Sequence, residues 1–309
     1  MKNEKTRIIS SLLLLLTAFI WGVAFVAQTV GMQHVGPWTF VCFRYILSTL
    51  VLLPVTALSL RQAKRARADA LPTQTDKKSL PPTLLGGLCC GFFLGTASIA
   101  QQLGMQQTSP GKAGFITALY VVLVPLIGLL IGKRPSGRIW ISVCFGLCGL
   151  YLISVKSGFT IEKGDALVML CALLFSLQIL SADHFSRKVT SAIALANVEF
   201  FVSAMIALCG MLLFETPRLP ALLDAAIPIL YAGIFSGGIA YTLQIVAQKH
   251  TDPTVASLLM SLESVFALLA GFVILHQMLS IRELIGCGLV LAAVILAELP
   301  AIRRDTPAK

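Results

Sequence analysis

The chain has 309 residues, of which 57% are hydrophobic and only 12% charged, with a formal net charge of +10. A soluble domain carries about 25% charged residues, and one water-facing core cannot absorb this much apolar chain. A soluble fold is therefore excluded, and a membrane protein is expected.

Continuous apolar windows of about 17 to 25 residues mark helical spans. Ten are read in chain order: 9–31, 38–60, 82–103, 111–132, 138–155, 164–182, 191–214, 225–248, 253–275 and 282–300. Transmembrane strands would instead show short alternating segments. The start, "MKNEKTRIISSLLLLLTAFIWG", imitates a signal peptide. No small-x-small site ends its run, however, and the apolar stretch outlasts an h-region, so it is read as the first span.

With that start in the cytoplasm, Lys112, Lys156, Lys163, Arg218 and Arg282 fall outside and Arg44 falls within a span. All other Lys and Arg fall on the cytoplasmic side, as the positive-inside bias requires. The charge thus reports topology, and no nucleic-acid partner is expected. The most basic segment, "RQAKRARADALPTQTDKKSL" at 61–80, is read as a polar connector beside the lipid headgroups. The eight cysteines fall in spans without metal spacing and are read as small buried hydrophobes.

Residues 95–131 align without gaps to 238–274. Gly95, Gln101, Thr108, Pro110 and Gly128 match Gly238, Gln244, Thr251, Pro253 and Gly271. Two five-helix units follow, 1–157 and 158–300, with a cytoplasmic tail at 301–309. Because five is odd, the second unit must enter the membrane from the opposite side. The expected fold class is an all-α integral membrane protein of ten transmembrane helices arranged as two inverted repeats, a construction that places substrate near the midplane. Ser109 and Asp252 are expected caps, with Pro110 and Pro253 at the first helical position. Gly87, Gly91 and Gly95, and likewise Gly233 and Gly237, are spaced for close helix packing.

The stretches "FIWGVAFVAQ", "FRYILSTLVLL", "TSPGKAGFITALYVVLVPLIGLLIG" and "SLLMSLESVFALLAGFVIL" resemble the EamA-type ten-helix members of the drug/metabolite transporter superfamily. The resemblance covers essentially the whole chain. It implies inverted repeats, cytoplasmic termini and movement of small metabolites or drugs, commonly outward. The family often places Glu at the ends of the fourth and ninth spans. Here Lys133 and Gln277 stand there, so roles resting on those acids do not transfer.

Three charges fall inside the membrane zone. Glu263 is about 15 Å into its span, Glu199 at similar depth, and Arg44 about 9 Å down, at 1.5 Å per residue. Such residues face the bundle interior and pair or act. Three readings stand: Arg44 pairs with an acid to orient helices; an acid exchanges protons with the gradient; or a charge contacts substrate. Tyr120 is the repeat counterpart of Glu263. Trp21, Phe25 and Gln28 share a helix face, as do Thr117 and Tyr120, and Tyr241, Gln244 and Gln248. Glu199, Ser203 and Gly210 line one face of the seventh span. Gln101 and Gln244, symmetric and near span ends, are read as caps or as bonds to neighbouring helices, with Gln244 also a candidate for the site. Asp183, His184, Arg187 and Lys188 are read as solvated.

No HExxH, Walker A, GxSxG or dinucleotide fingerprint is present in the sequence. No enzyme activity, cofactor or metal is expected. The sequence reading is a proton-coupled or uncoupled secondary exporter of the plasma membrane, monomer or homodimer. Its partners are a small-molecule substrate, lipid and protons. Glu263, Arg44, Tyr120, Tyr241, Glu199, Trp21, Gln28 and Gln244 are the candidate substrate-binding or coupling residues. A lipid or nucleotide-sugar carrier and a membrane-embedded enzyme are the alternatives.

Overall fold

The computed structural model describes residues 2–68, 82–107, 110–133, 135–154, 163–275 and 278–299, and every regular element among them is helical. The first half holds α1 (Lys2–Gly31), α2 (Pro37–Ala68), α3 (Pro82–Met105), α4 (Pro110–Thr117), α5 (Tyr120–Leu130) and α6 (Gly137–Ser154). Next come α7 (Lys163–Ser186), α8 (Ala192–Phe214), the short α9 (Leu219–Asp224) and α10 (Ala226–Leu230). A π-helical stretch (Tyr231–Tyr241) leads into α11 (Thr242–Gln248), α12 (Pro253–Met260), α13 (Glu263–Leu275) and α14 (Ile281–Glu298).

The helix starts follow local chemistry. Pro37, Pro82, Pro110 and Pro253 each open a helix, where the missing amide donor costs nothing. Asp252 accepts from Thr254 N at 2.9 Å, Ser191 from Ala194 N at 3.2 Å, and Ser280 forms a capping box with Glu283. Ser109 and Thr108 lie outside the described residues, as do Lys156, His276, Gln277 and the tail 301–309.

Among the described residues, eight helical stretches are long and apolar enough to cross a membrane. The fifth and tenth sequence windows are described only to Ser154 and Leu299, as the apolar α6 and as α14, which carries Arg282, Glu283 and Glu298 near its ends. The expected connector 61–80 is also corrected at its start: α2 continues to Ala68, and 69–80 lie outside the described residues. Large apolar side chains such as Phe92, Leu126, Phe201, Phe272 and Leu291 point outward. So do Cys144, Cys148 and Cys209, which were expected to be buried. An outer surface this apolar suits lipid, and the chain is a multi-pass membrane protein.

The most extensive helix pairs are α3 with α7, α6 with α14, and α2 with α8. One end of the α2–α8 pair is tied by Glu215, the residue just after α8. Its carboxylate accepts from Trp38 N at 3.0 Å, Thr39 N at 2.8 Å and Thr39 Oγ1 at 2.6 Å. A carboxylate from one helix thus caps the first turn of another, where orphan amides and the helix dipole favour an anion. Glu215→Ala is expected to cost about 1–2 kcal/mol. It should lower the Tm of detergent-purified protein by roughly 2–4 °C, read by a thermal melt. An unchanged Tm would show that solvent caps α2 equally well.

Candidate functional site

Two spans are interrupted midway, at positions 143 residues apart. The α4/α5 segment breaks at Ala118–Leu119 and the α12/α13 segment at Ser261–Leu262. Both breaks are tightened by three-residue hydrogen bonds. Leu119 N reaches Ile116 O at 3.2 Å and Val121 N reaches Ala118 O at 3.0 Å. Leu262 N reaches Leu259 O at 3.3 Å and Ser264 N reaches Ser261 O at 3.1 Å. Such 3₁₀ turns break the regular helical ladder, a feature often found at hinges or at strained sequence. In the second break, Ser261 Oγ bonds back to Leu258 O at 2.7 Å, an interaction that bends helices.

The first residue after each break is a candidate site residue. Tyr120 opens α5, Glu263 opens α13, and Tyr120 Oη donates to Glu263 Oε1 at 2.9 Å. Glu263 stands where the α13 dipole favours an anion. Gly22 of α1 lets that helix lie against the start of α13. A Cβ on Gly22 would sit 2.7 Å from Ala267 N and 2.8 Å from Glu263 O.

These two residues line a central cavity. α1 contributes Trp21, Ala24, Phe25 and Gln28, α2 contributes Arg44, and α3 contributes Gln101. Thr117, Phe175, Gln178, Ile179, Ser236, Tyr241, Gln244 and Met260 complete the wall. The space open to the centres of water-sized spheres is about 40 Å³. About 10–15 Å³ on that measure holds one water, so the cavity in this conformation has room for only a few waters.

The π-helical stretch supplies polar backbone to α1 and α2, at the cavity wall through Ser236. Its widened turns, in a segment rich in glycine, leave carbonyls for side chains of α1 and α2. Trp21 Nε1 donates to Ser236 O at 3.1 Å, Thr17 Oγ1 to Ala240 O at 3.2 Å, and Ser48 Oγ to Gly233 O at 2.8 Å. The Trp21 and Tyr241 ring centroids are 4.5 Å apart.

One of the three readings, Arg44 paired with an acid, is not what the structure contains. Among the described residues Arg44 forms no ion pair. Its Nη2 donates to Ser236 Oγ at 2.9 Å, and its guanidinium carbon lies 5.1 Å from the Tyr45 ring centroid and 5.9 Å from that of Tyr241. Aromatic faces and one hydroxyl thus take the place of a carboxylate around this cation.

Glu199 is fully buried and, alone among the eight candidates, does not line the cavity. It is linked to the cavity by two amides: Gln244 Nε2 donates to Gln178 Oε1 at 3.1 Å, and Gln178 Nε2 to Glu199 Oε1 at 2.8 Å. On the other side Gln101 Nε2 donates to Thr117 Oγ1 at 3.1 Å, and Gln102 Nε2 to Gln28 Oε1 at 2.5 Å. Gln248 leaves its stripe and bonds Ile179 O at 3.4 Å.

Phe175 and Gln178 were missed from sequence, although a signal for them exists. They stand 150 residues after Phe25 and Gln28, and all four line the cavity. A further spacing of 155 relates Arg44 to Glu199, Tyr45 to Phe200 and Ser48 to Ser203. The Tyr45 and Phe200 rings stack at 6.0 Å. Ser48 bonds Gly233 O, and Ser203 bonds Gly91 O at 3.0 Å, so each matched serine bonds a glycine carbonyl of the opposite half. The two halves therefore place a base and an acid at equivalent points of α2 and α8.

Asp183 also departs from expectation. It is buried rather than solvated, held by Lys133 at 2.5 Å and Arg187 at 2.8 Å. His184 and Lys188 are exposed as read.

Comparison with known proteins agrees with this architecture. The EamA-like transporter family matches the chain twice, over residues 8–155 and 162–299. An uncharacterized transporter of Archaeoglobus fulgidus is 30% identical over 298 residues, covering 95% of this chain and 87% of its own. The uncharacterized transporter YoaV of Bacillus subtilis is 22% identical, covering 92% and 95%. A WAT1-related protein of Arabidopsis thaliana is 21% identical, covering 86% and 80%. A crystal structure at 18% identity shares the fold with a TM-score of 0.75, over 94% of this chain and 96% of that one. Two family matches spanning nearly the whole chain, with helices built for a bilayer around a polar cavity, make this protein a membrane transporter of the EamA-like family.

Proposed function

We propose that the protein is a secondary exporter of a small metabolite or drug-like solute, working by alternating access and coupled to protons. In this reading it crosses the plasma (inner) membrane ten times, as two inverted five-helix repeats with both termini in the cytoplasm. The observation that carries the reading is the pair of interrupted helices whose first residues, Tyr120 and Glu263, meet at 2.9 Å on the cavity wall. Interrupted helices at a repeat interface are where secondary transporters bind substrate and coupling ions. The matched breaks supply the hinges that alternating access needs, and the small polar cavity between them is the place to which access alternates. The orientation is supported by the Lys and Arg that the N-in topology assigns to one face.

Transport by inverted membrane vesicles tests it. Labelled amino acids, organic cations, nucleosides and short-chain lipids are offered with and without an imposed pH gradient. Accumulation of one small-solute class, dependent on the gradient, is the expected result. Accumulation that ignores the gradient removes proton coupling. Movement of the lipid probe alone replaces the reading by a lipid carrier.

A further inference from the structure

Beyond the central cavity, one ionic cluster bridges the two matched repeats. Lys133 Nζ lies 2.5 Å from Asp183 Oδ2, and Arg187 Nη2 lies 2.8 Å from Asp183 Oδ1. Arg187 also donates to the carbonyl of Thr251 at 3.3 Å. Lys133 belongs to the first repeat; Asp183, Arg187 and Thr251 belong to the second. The cluster therefore ties the end of α5 to the end of α7 and to the turn before α12.

The geometry around each member is fixed. Gly132 adopts φ +83°, a conformation natural to glycine, and ends α5 in a Schellman turn. Lys133 N bonds Gly128 O at 2.9 Å and Gly132 N bonds Leu129 O at 3.1 Å. That turn aims Lys133 across the repeat boundary. The Asp183 side chain is only 6% exposed, against 34% for Lys133 and 50% for Arg187. A buried acid is thus reached by two half-exposed cations, and one turn of α7 further in lies Ile179, on the cavity wall. Gln248, fully buried, bonds the Ile179 carbonyl and fills the level between cluster and cavity.

The matched positions in the sequence differ. The spacing of 150 that relates Gln28 to Gln178 relates Gln33 to Asp183 and Pro37 to Arg187. The spacing of 143 relates Lys133 to His276. None of these counterparts is a carboxylate, so the sequence does not repeat the Lys133–Asp183 pair at them.

We propose that Lys133, Asp183 and Arg187 form an ionic latch that closes one mouth of the transport cavity and must open for solute to pass that mouth. They are positioning residues of the transport cycle, since none of them lines the cavity. The latch biases the protein toward the form closed on that side, which is the cytoplasmic side in the orientation proposed above. That last assignment rests on the proposed topology; the latch itself does not.

The test is side-specific labelling of Ile179→Cys with a membrane-impermeant thiol reagent, on right-side-out and inverted vesicles. Labelling of the same protein without the reporter is subtracted. Lys133→Met leaves Asp183 paired with Arg187, so the fold is retained. It should speed labelling from the cytoplasmic side on the order of tenfold, the scale of a shifted two-state equilibrium. Lys133→Arg, which keeps the cation, should label like the parent. Asp183→Asn, which loosens both arms, should label at least as fast as Lys133→Met. Acceleration from the outer side alone would keep the latch and overturn the topology. Equal labelling of folded Lys133→Met and parent from both sides would overturn the latch. Labelling requires no substrate, so failure to find transport leaves this outcome readable.

Discussion

Glu263→Gln is expected to abolish gradient-driven accumulation while leaving folded protein in the membrane. The amide keeps the volume of the side chain and an oxygen to accept from Tyr120 Oη, so the contact between α5 and α13 survives. What is lost is the anion at the N-terminus of α13. If that anion binds a positive group of the solute, its loss removes a charge-assisted hydrogen bond of about 1.5–3 kcal/mol, or roughly 10- to 100-fold in apparent affinity. If it carries the coupling proton, binding and exchange persist but uphill accumulation stops. Vesicle transport with and without a pH gradient separates these outcomes. Tyr120→Phe removes only the donor and leaves the carboxylate in place; for a hydrogen bond to a charged group of about 1.5–3 kcal/mol it should weaken apparent affinity by up to roughly 10- to 100-fold while gradient-driven accumulation persists. A Glu263→Gln protein that accumulates solute with unchanged pH dependence would reduce Glu263 to a helix-pairing residue.

How far the sequence could lead to this site depended on what each signal measured. The spacing of 143 identified Tyr120 and Glu263 as counterparts, and the structure joins them directly. The helix stripes carried Trp21, Phe25 and Gln28 as a set, and all three line the cavity. The breaks themselves were not legible. Neither Ala118–Leu119 nor Ser261–Leu262 contains Gly or Pro, so the apolar runs read as continuous; the interruption resides in hydrogen-bond geometry set by tertiary packing. Gln178 and Phe175 were hidden because the halves match at different spacings in different helices, 143 in one pair and 150 in another, as loop lengths vary. Glu199 and Glu263 look alike in sequence, each an acid amid apolar residues. Only the packing of α8 against α3 and α2 sets Glu199 behind the wall, reached through Gln178. Asp183 read as solvated because it ends a span. Its burial depends on a turn fifty residues earlier, at Gly132–Lys133.

Gly22→Leu is expected to give the largest loss of folded protein among cavity-side substitutions, and Gly288→Leu at most a small one. Two effects oppose each other at any helical glycine. Replacing it gains up to about 1 kcal/mol of helix propensity, while forcing atoms into a packed interface costs about 1–3 kcal/mol and occasionally more. At Gly288 nothing lies within 4 Å of the point where a Cβ would stand, so the propensity gain has little to offset it. At Gly22 the added Cβ would meet Phe266 Cβ at 2.5 Å and two backbone atoms of α13 at 2.7 and 2.8 Å. Backbone cannot swing aside as a flexible side chain does, so the packing cost wins and α1 must move off α13. Trp21, Phe25 and Gln28 move with it, which opens the cavity wall opposite Glu263. Even Gly22→Ala should therefore destabilise, reversing the sign that propensity alone predicts. Melting of the purified variants compares the two sites directly. If Gly22→Ala melts at or above the parent temperature, α1 and α13 slide freely past one another, and the close approach at Glu263 is not what holds the cavity together.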